Sequence, residues 1–175
     1  KRTKVGDVNG NGAVIYNQGT SFTASGCTFS YNNGTEGGVI WSNKHYTVDG
    51  CTFTENSSTT YGGVILNRST AKITNSTFQS NKAGSEGGVI STIATTGLII
   101  ENCDFIENSA TSGGAIRTNA NAITITITGC EFRGNRATSG SGGAMYINAS
   151  TTITITGSTF QSNTSSTTGG AIYTK

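Results

Sequence analysis

The stretch Cys103-Asp-Phe105-Ile-Glu-Asn108-Ser-Ala-Thr-Ser-Gly113-Gly114-Ala115-Ile116 decides the fold, because the chain repeats it six times with small variations. Its Phe and Asn recur as Phe29/Asn32, Phe53/Asn56, Phe78/Asn81, Phe105/Asn108, Phe132/Asn135 and Phe160/Asn163. A glycine pair follows each time, and the pairs beginning at Gly37, Gly62, Gly87, Gly113, Gly142 and Gly169 are 25, 25, 26, 29 and 27 residues apart. A loose but unbroken period of this size marks stacked units, none of which can bury its apolar side alone.

The unit is built of strands. Apolar residues alternate in Ile123-Thr-Ile125-Thr-Ile127 and Ile153-Thr-Ile155, and alternation over short runs bounded by Gly and Asn is the strand pattern. Counting from the Cys or Ser that opens each repeat, the residues three and five before it and the Phe two after it share one parity, so they point into a common interior. Thr, Ser, Asp, Lys and Glu lie between them. A second apolar pair follows each Gly-Gly, as in Val64-Ile65 and Ala144-Met145. Three short strands and three turns per coil predict an all-β parallel β-helix of six coils. At about 4.8 Å per coil it forms a rod roughly 30 Å long. Phe, aliphatic residues and Asn then stack into ladders, and these repeated residues are scaffold rather than active site. The whole chain, residues 1–175, reads as one such domain and as a segment of a longer protein.

The alternation of Gly-Gly-Ala-Ile, as at Gly113 to Ile116 and Gly169 to Ile172, with Phe-x-x-Asn resembles the repeats of polymorphic outer-membrane proteins, surface autotransporters of the Chlamydia type. The resemblance covers almost the whole chain. It implies a right-handed parallel β-helix passenger domain, exported, displayed on a cell surface and used for adhesion. The chain departs from that pattern in carrying Gly-Gly-Val-Ile in the first three repeats, and neither a membrane β-barrel segment nor a signal peptide is expected within these residues.

Composition fits an extracellular structural role. Only 11% of residues are charged and the net charge is +2, which gives no electrostatic case for nucleic acid or a membrane surface. No apolar run is long enough to insert in a bilayer. Lys1, Arg2 and Lys4 read as a solvated terminal cluster.

Cys27, Cys51, Cys103 and Cys130 occupy the same slot of the repeat, which Ser76 and Ser158 fill elsewhere. Two stacked pairs result, Cys27 with Cys51 and Cys103 with Cys130. An even count in a secreted chain allows disulfides, but parallel Cβ vectors at the strand spacing are wider than the ~3.8 Å that a disulfide requires. Free stacked thiols are the favoured reading and coil-to-coil disulfides the alternative. The cysteine spacing matches no zinc pattern, and no metal or other cofactor is expected. Six sequons are present at Asn33, Asn56, Asn67, Asn75, Asn148 and Asn163. Asn56 and Asn163 belong to the Asn ladder and are expected to be buried, leaving Asn33, Asn67, Asn75 and Asn148 as glycan acceptors.

Catalysis on such a fold needs carboxylates on an outward face. Asp104 and Glu131, one position past the slot in adjacent coils and near Arg133, are the candidate pair. Thr fills that position in the other coils and no aromatic wall accompanies it, so no enzyme is expected. Outward Thr124, Thr126, Thr128, Thr152, Thr154 and Thr156 form a patch of the kind that binds ice or crystals, but Asp49, Lys72, Ile99 and Glu101 break its columns. A subunit stacked end to end into a fibre is a further alternative. The expectation is an extracellular rod that presents binding faces, whose partner is a host-cell or matrix glycan or protein, or further copies of itself.

Overall fold

The structure is a computed structural model that describes residues 10–94, 97–119, 123–148 and 150–175; the basic cluster at Lys1, Arg2 and Lys4 lies outside the described residues. It is a parallel β-helix of about six coils with no α-helix among the described residues. One coil comprises Tyr46–Asp49, Thr52–Thr54, Ser57–Tyr61 and Ile65–Asn67. Equivalent strands of successive coils pair in parallel and in register, giving three six-stranded sheets and one seven-stranded sheet. We number the sheets one to four in the order the chain enters them within a coil.

Four strands per coil, rather than three, is the main departure from the sequence reading. The added strand follows the ladder Asn and runs through the polar segment, as in Ser57–Tyr61 and Lys82–Ala83. It lacks apolar alternation because only one inward position is available and the space there is small. Gly34, Ser58, Ala83, Ala110 and Ala137 fill that position and are all buried. The seventh strand of the fourth sheet, Ile15–Asn17, precedes the first complete repeat. Gly12-Ala13-Val14-Ile15 is a worn copy of Gly-Gly-Val-Ile, and Gly12 keeps the left-handed backbone at φ 61°. At the second position of the pair a Cβ crowds the neighbouring coil: one built on Gly88 would stand 2.1 Å from the Gly114 carbonyl oxygen. Ala13 occupies this position, and its N–H reaches the Gly37 oxygen at 3.4 Å, against 3.0–3.2 Å for the glycines of that column.

The interior is a set of ladders. The six Phe rings stack with centroids 4.6–5.0 Å apart and planes within 11°. Phe53, Phe78, Phe105 and Phe132 are fully buried, while Phe29 and Phe160, in the outer coils, are partly covered. Beside them Val48, Ile73, Ile100 and Ile127 stack in the first sheet, and Ile40, Ile65, Ile90, Ile116 and Met145 in the fourth. Each Phe so buried contributes about 2–3 kcal/mol. Tyr46 stacks on Phe22 in the first sheet, and its fully buried hydroxyl has no hydrogen-bond partner. Burial pushes that phenol far above its ordinary range.

The Asn ladder closes the corner between the second and third sheets. Asn108 shows the scheme. Its Nδ2 donates to the Phe78 carbonyl at 2.9 Å and to Asn135 Oδ1 at 3.0 Å, while its Oδ1 accepts from the backbone N–H and the Nδ2 of Asn81 at 2.9 and 3.1 Å. Every polar atom of the amide is used, which is what burial of an amide demands. The residue before each ladder Asn is left-handed (Tyr31, Glu55, Ser80, Glu107, Gly134 and Ser162), and five of the six are not glycine. Non-glycine residues resist this conformation by roughly 1–2 kcal/mol, so the Asn network holds the corner against strain. Asn163 is half-buried rather than buried, because no described coil stacks on it.

The cysteine slot works in a similar way. Ser76 Oγ accepts the Cys51 N–H at 3.0 Å and donates to the Thr74 carbonyl at 2.7 Å. Cys51 Sγ in turn accepts the Cys27 N–H and lies 3.4 Å from the Asp49 carbonyl. All four cysteines are free thiols; Cys51, Cys103 and Cys130 are buried, whereas Cys27, in the first complete coil, is half-exposed. Burial pushes the Cys51 thiol up, and the hydrogen bond with Cys130 together with burial does the same for Cys103.

Two outcomes follow from these ladders. Asn108→Ala leaves the Asn81 N–H, the Asn81 amide and the Phe78 carbonyl each short of a partner, a loss of about 3 kcal/mol or more at 1–3 kcal/mol per buried orphan. Asn163→Ala, where water can substitute, is expected to cost less than half as much by urea unfolding; equal losses would contradict the buried network. In alkylation followed by mass spectrometry without reductant, Cys27 is expected to react in the folded protein and Cys51, Cys103 and Cys130 only after denaturation. A denatured total of two labels or fewer would show an oxidised pair.

Candidate ligand groove

The carboxylate pair singled out in the sequence is present but stands in the open. Asp104 and Glu131 are register neighbours on the second sheet, with Thr77 and Thr159 on either side of them in the column. Asp104 is exposed, and Arg133 Nε holds Glu131 Oε1 at 3.0 Å. Partial desolvation first, and the Glu131 charge second, raise the Asp104 carboxyl above its ordinary value, with Arg133 acting against them. Neither residue is among those lining the recess described below. On the first sheet, the Thr124–Thr128 strand pairs with Thr152–Thr156, but the same columns carry the Lys72–Glu101 ion pair at 3.0 Å and a 38% exposed Ile99.

Of the sequons, Asn33 and Asn75 are exposed and Asn148 is half-buried. Asn67 is a correction: its side chain points inward on the fourth sheet, fully buried, with Nδ2 3.1 Å from Thr92 Oγ1. The fourth sheet has its own inward polar ladder of Ser42, Asn67, Thr92 and Thr118, which closes Asn67 to a glycosylating enzyme in the folded protein.

A recess of about 350 Å³ lies elsewhere, between the corner that leads into the fourth sheet and the turn that leaves it, lined by Glu36, Tyr61, Leu66, Glu86, Ile93 and Asn119. Its first wall is the column immediately before the glycine pairs, where Glu36, Tyr61 and Glu86 are successive register neighbours in three coils. The left-handed first glycine turns the chain sharply after this residue, so its side chain stands at the rim. The floor is the middle position of the fourth-sheet strands. Trp41, Leu66, Ser91 and Arg117 occupy it in sequence. Parity points these residues outward, yet Trp41, Leu66 and Ser91 are 6%, 1% and 0% exposed. In these three coils all three residues of the strand are buried, whereas the middle residues Arg117 and Tyr146 of the next two coils are not. The walls therefore shelter an apolar floor on the outside of the helix.

The polar groups of the walls are held in place. Trp41 Nε1 donates to Glu36 Oε2 at 3.2 Å, and Tyr16 stacks on the Trp41 ring at 4.6 Å with the Arg68 guanidinium 5.4 Å from its centre. Arg117 Nη2 pairs with Glu86 Oε1 at 3.1 Å, donates through Nε to Asn119 Oδ1 at 2.8 Å and lies 4.1 Å over the Tyr146 ring. Asn119 Nδ2 completes the cluster on Glu86 Oε2. Two carboxylates and two guanidinium groups leave the groove with little net charge. Tyr61, 36% exposed between the two glutamates, presents an accessible ring. The buried Ser91 hydroxyl, beside Leu66 and Arg117 in register, has no partner. Among the described residues no group of three or more His, Cys, Asp or Glu gathers as metal ligands would.

A family model described as right handed beta helix region matches residues 1–175, and the chain belongs to that family. No curated protein and no solved structure matches it.

Sequence reasoning missed this groove, although its column carries a signal. Glu36, Tyr61, Glu86, Ser112, Ser141 and Thr168 all precede a glycine pair, and the large side chains cluster in the first three coils.

The raised Asp104 carboxyl gives a test with a defined sign. Its ionised form is penalised in the fold. The penalty is therefore present above the folded pKa and is relieved as pH falls through it. Asp104→Asn is expected to raise the melting temperature slightly at about pH 7, with the gain fading towards about pH 3, where the parent carboxyl is itself protonated. A lower melting temperature at neutral pH would contradict the assignment.

Proposed function

We propose that this chain is a rigid extracellular rod of a microbial surface protein, exported and displayed in the manner of an autotransporter passenger, and that it adheres through its side rather than catalysing a reaction. The observation that carries this reading is the groove on the fourth sheet, a sheltered surface where rings and fixed polar groups converge on a scaffold rich in Thr, Ser and Asn. Rings and guanidinium groups on a rigid support bind at low entropic cost. The partner is a glycan or protein of a host cell or matrix. No helix among the described residues is long and apolar enough to cross a membrane. Resemblance of the Gly-Gly-Ala-Ile and Phe-x-x-Asn repeats to polymorphic outer-membrane proteins supports surface display. The open setting of Asp104 and Glu131, with Arg133 on one of them, favours a non-enzymatic role, because such a pair has no walls to hold a sugar ring or exclude water.

Beads coated with the protein are expected to adhere to epithelial cells or to surfaces coated with extracellular matrix. Free protein should compete, Tyr61→Arg should abolish adhesion, and Asp104→Asn combined with Glu131→Gln should leave it within a few-fold, as expected for an exposed acidic pair. Polysaccharide cleavage by the parent that disappears in that double variant would overturn the reading in favour of an enzyme.

A further inference from the structure

We infer that the groove takes an uncharged oligosaccharide, held along the helix axis between Glu36 and Glu86 with a sugar ring against Tyr61. This inference rests on the adhesive-rod reading and names the chemistry of its ligand.

The volume of about 350 Å³ falls at the small end of ligand sites, which run from about 300 to 1,000 Å³, and suits a few sugar units better than a protein surface. Its polar atoms are mainly acceptors. Glu36 lines the groove and uses Oε2 for the Trp41 indole, and its other carboxylate oxygen is a further acceptor. Both Glu86 oxygens are engaged by Arg117 and Asn119, but a carboxylate oxygen has a second lone pair to offer. A ligand rich in hydroxyl donors meets this demand. A sugar also has a C–H face, and Tyr61, Leu66 and Ile93 supply the apolar counterpart between the acceptors.

Charge narrows the class. Glu36 and Glu86 oppose Arg68 and Arg117, so neither sign of ligand is drawn in by net field. A uronate chain would have to displace Glu86 from Arg117 and would face Glu36 directly. A basic peptide would meet Arg117, already held on Glu86 and Asn119, and Arg68 beside the Trp41 ring. An uncharged ligand avoids both conflicts.

Spacing supplies the orientation. Glu36, Tyr61 and Glu86 follow one another at the coil step of about 4.8 Å, a length close to that of one pyranose unit, so acceptor, ring and acceptor meet successive sugars of a chain lying across the coils. With Glu86 engaged at both oxygens, no carboxyl pair is free to divide the roles of acid and nucleophile, and the ligand is bound without being cleaved.

The chain has a single tryptophan, Trp41, hydrogen-bonded to Glu36, and its fluorescence reports on this groove. Titration with neutral hexasaccharides of glucose, mannose, galactose and xylose is expected to saturate for at least one of them, with hexagalacturonate about tenfold weaker or more, a difference of 1.4 kcal/mol or greater. Tyr61→Ala and Glu36→Gln should each weaken binding about tenfold with unchanged circular dichroism. The Asp104→Asn, Glu131→Gln variant should bind as the parent does, and the sugar should be recovered intact. Preference for the uronate, cleavage of the bound chain, unchanged affinity in Tyr61→Ala, or no saturation by any neutral hexasaccharide would each overturn the inference. Beads that still adhere and lose adhesion with Tyr61→Arg, while no sugar binds, would leave the rod reading standing with a protein in the groove. Sugar binding without bead adhesion would preserve the glycan site and remove the adhesive role.

Discussion

Everything in this molecule depends on one constraint: each residue of a coil must tolerate its own counterpart about 4.8 Å above and below it. In-register parallel pairing offers no alternation of partners, so a position is stable only if its side chain packs well against copies of itself. Phe does so by parallel stacking, Ile by nested branching, Asn by passing its amide hydrogen to the next carbonyl, and Gly by leaving room for the neighbouring backbone. Charge does so badly, since like charges in register repel. The low charge of the chain and the isolation of its acidic column at Asp104 and Glu131 follow from this rule. Where that column does hold two carboxylates together, Arg133 supplies the missing counter-charge.

The groove is a controlled exception. Along the column before the glycine pairs, Glu36, Tyr61 and Glu86 differ from one coil to the next, and so do Trp41, Leu66, Ser91 and Arg117 on the floor. These unlike neighbours complement one another laterally, Trp41 with Glu36 and Arg117 with Glu86, instead of repeating along the axis. The interior ladders make this variation tolerable. A scaffold fixed by Phe53, Phe78 and Asn81 holds the backbone while the outer positions of those same coils change freely, and recognition on such a fold belongs where the repeat is least faithful.

The repeat is also what made the fold legible and the site obscure. Periodic Phe, Asn and Gly-Gly announced stacked coils directly, because the residues that hold the fold are the ones that recur. The third sheet escaped notice since its single inward position takes Gly, Ser or Ala, which carry no hydrophobic signal, although their recurrence two residues after the ladder Asn was there to be read. Ile15–Asn17 escaped because Ala13 replaces the second glycine. Asn67 looked like a surface sequon because its place on the inward face depends on the strand's exact phase after the glycine pair. The groove was hardest to see, as its wall residues lie 25 and 50 positions apart in the chain and change type from each coil to the next. Only the closure of the coil brings Glu36, Tyr61 and Glu86 together.

The Asn ladder also gives the rod a polarity. From Asn32 to Asn135 each amide nitrogen donates to the oxygen of the next Asn, always in the same sense. The column therefore ends at Asn163 with an amide hydrogen and a backbone N–H to offer, and begins at Asn32 with an oxygen to receive. Whatever continues it past Asn163 must bring an acceptor, and whatever precedes Asn32 must bring donors. Two rods meeting at like ends would set donor against donor, so growth by stacking, whether by gene duplication within one chain or by contact between molecules, can proceed only head to tail.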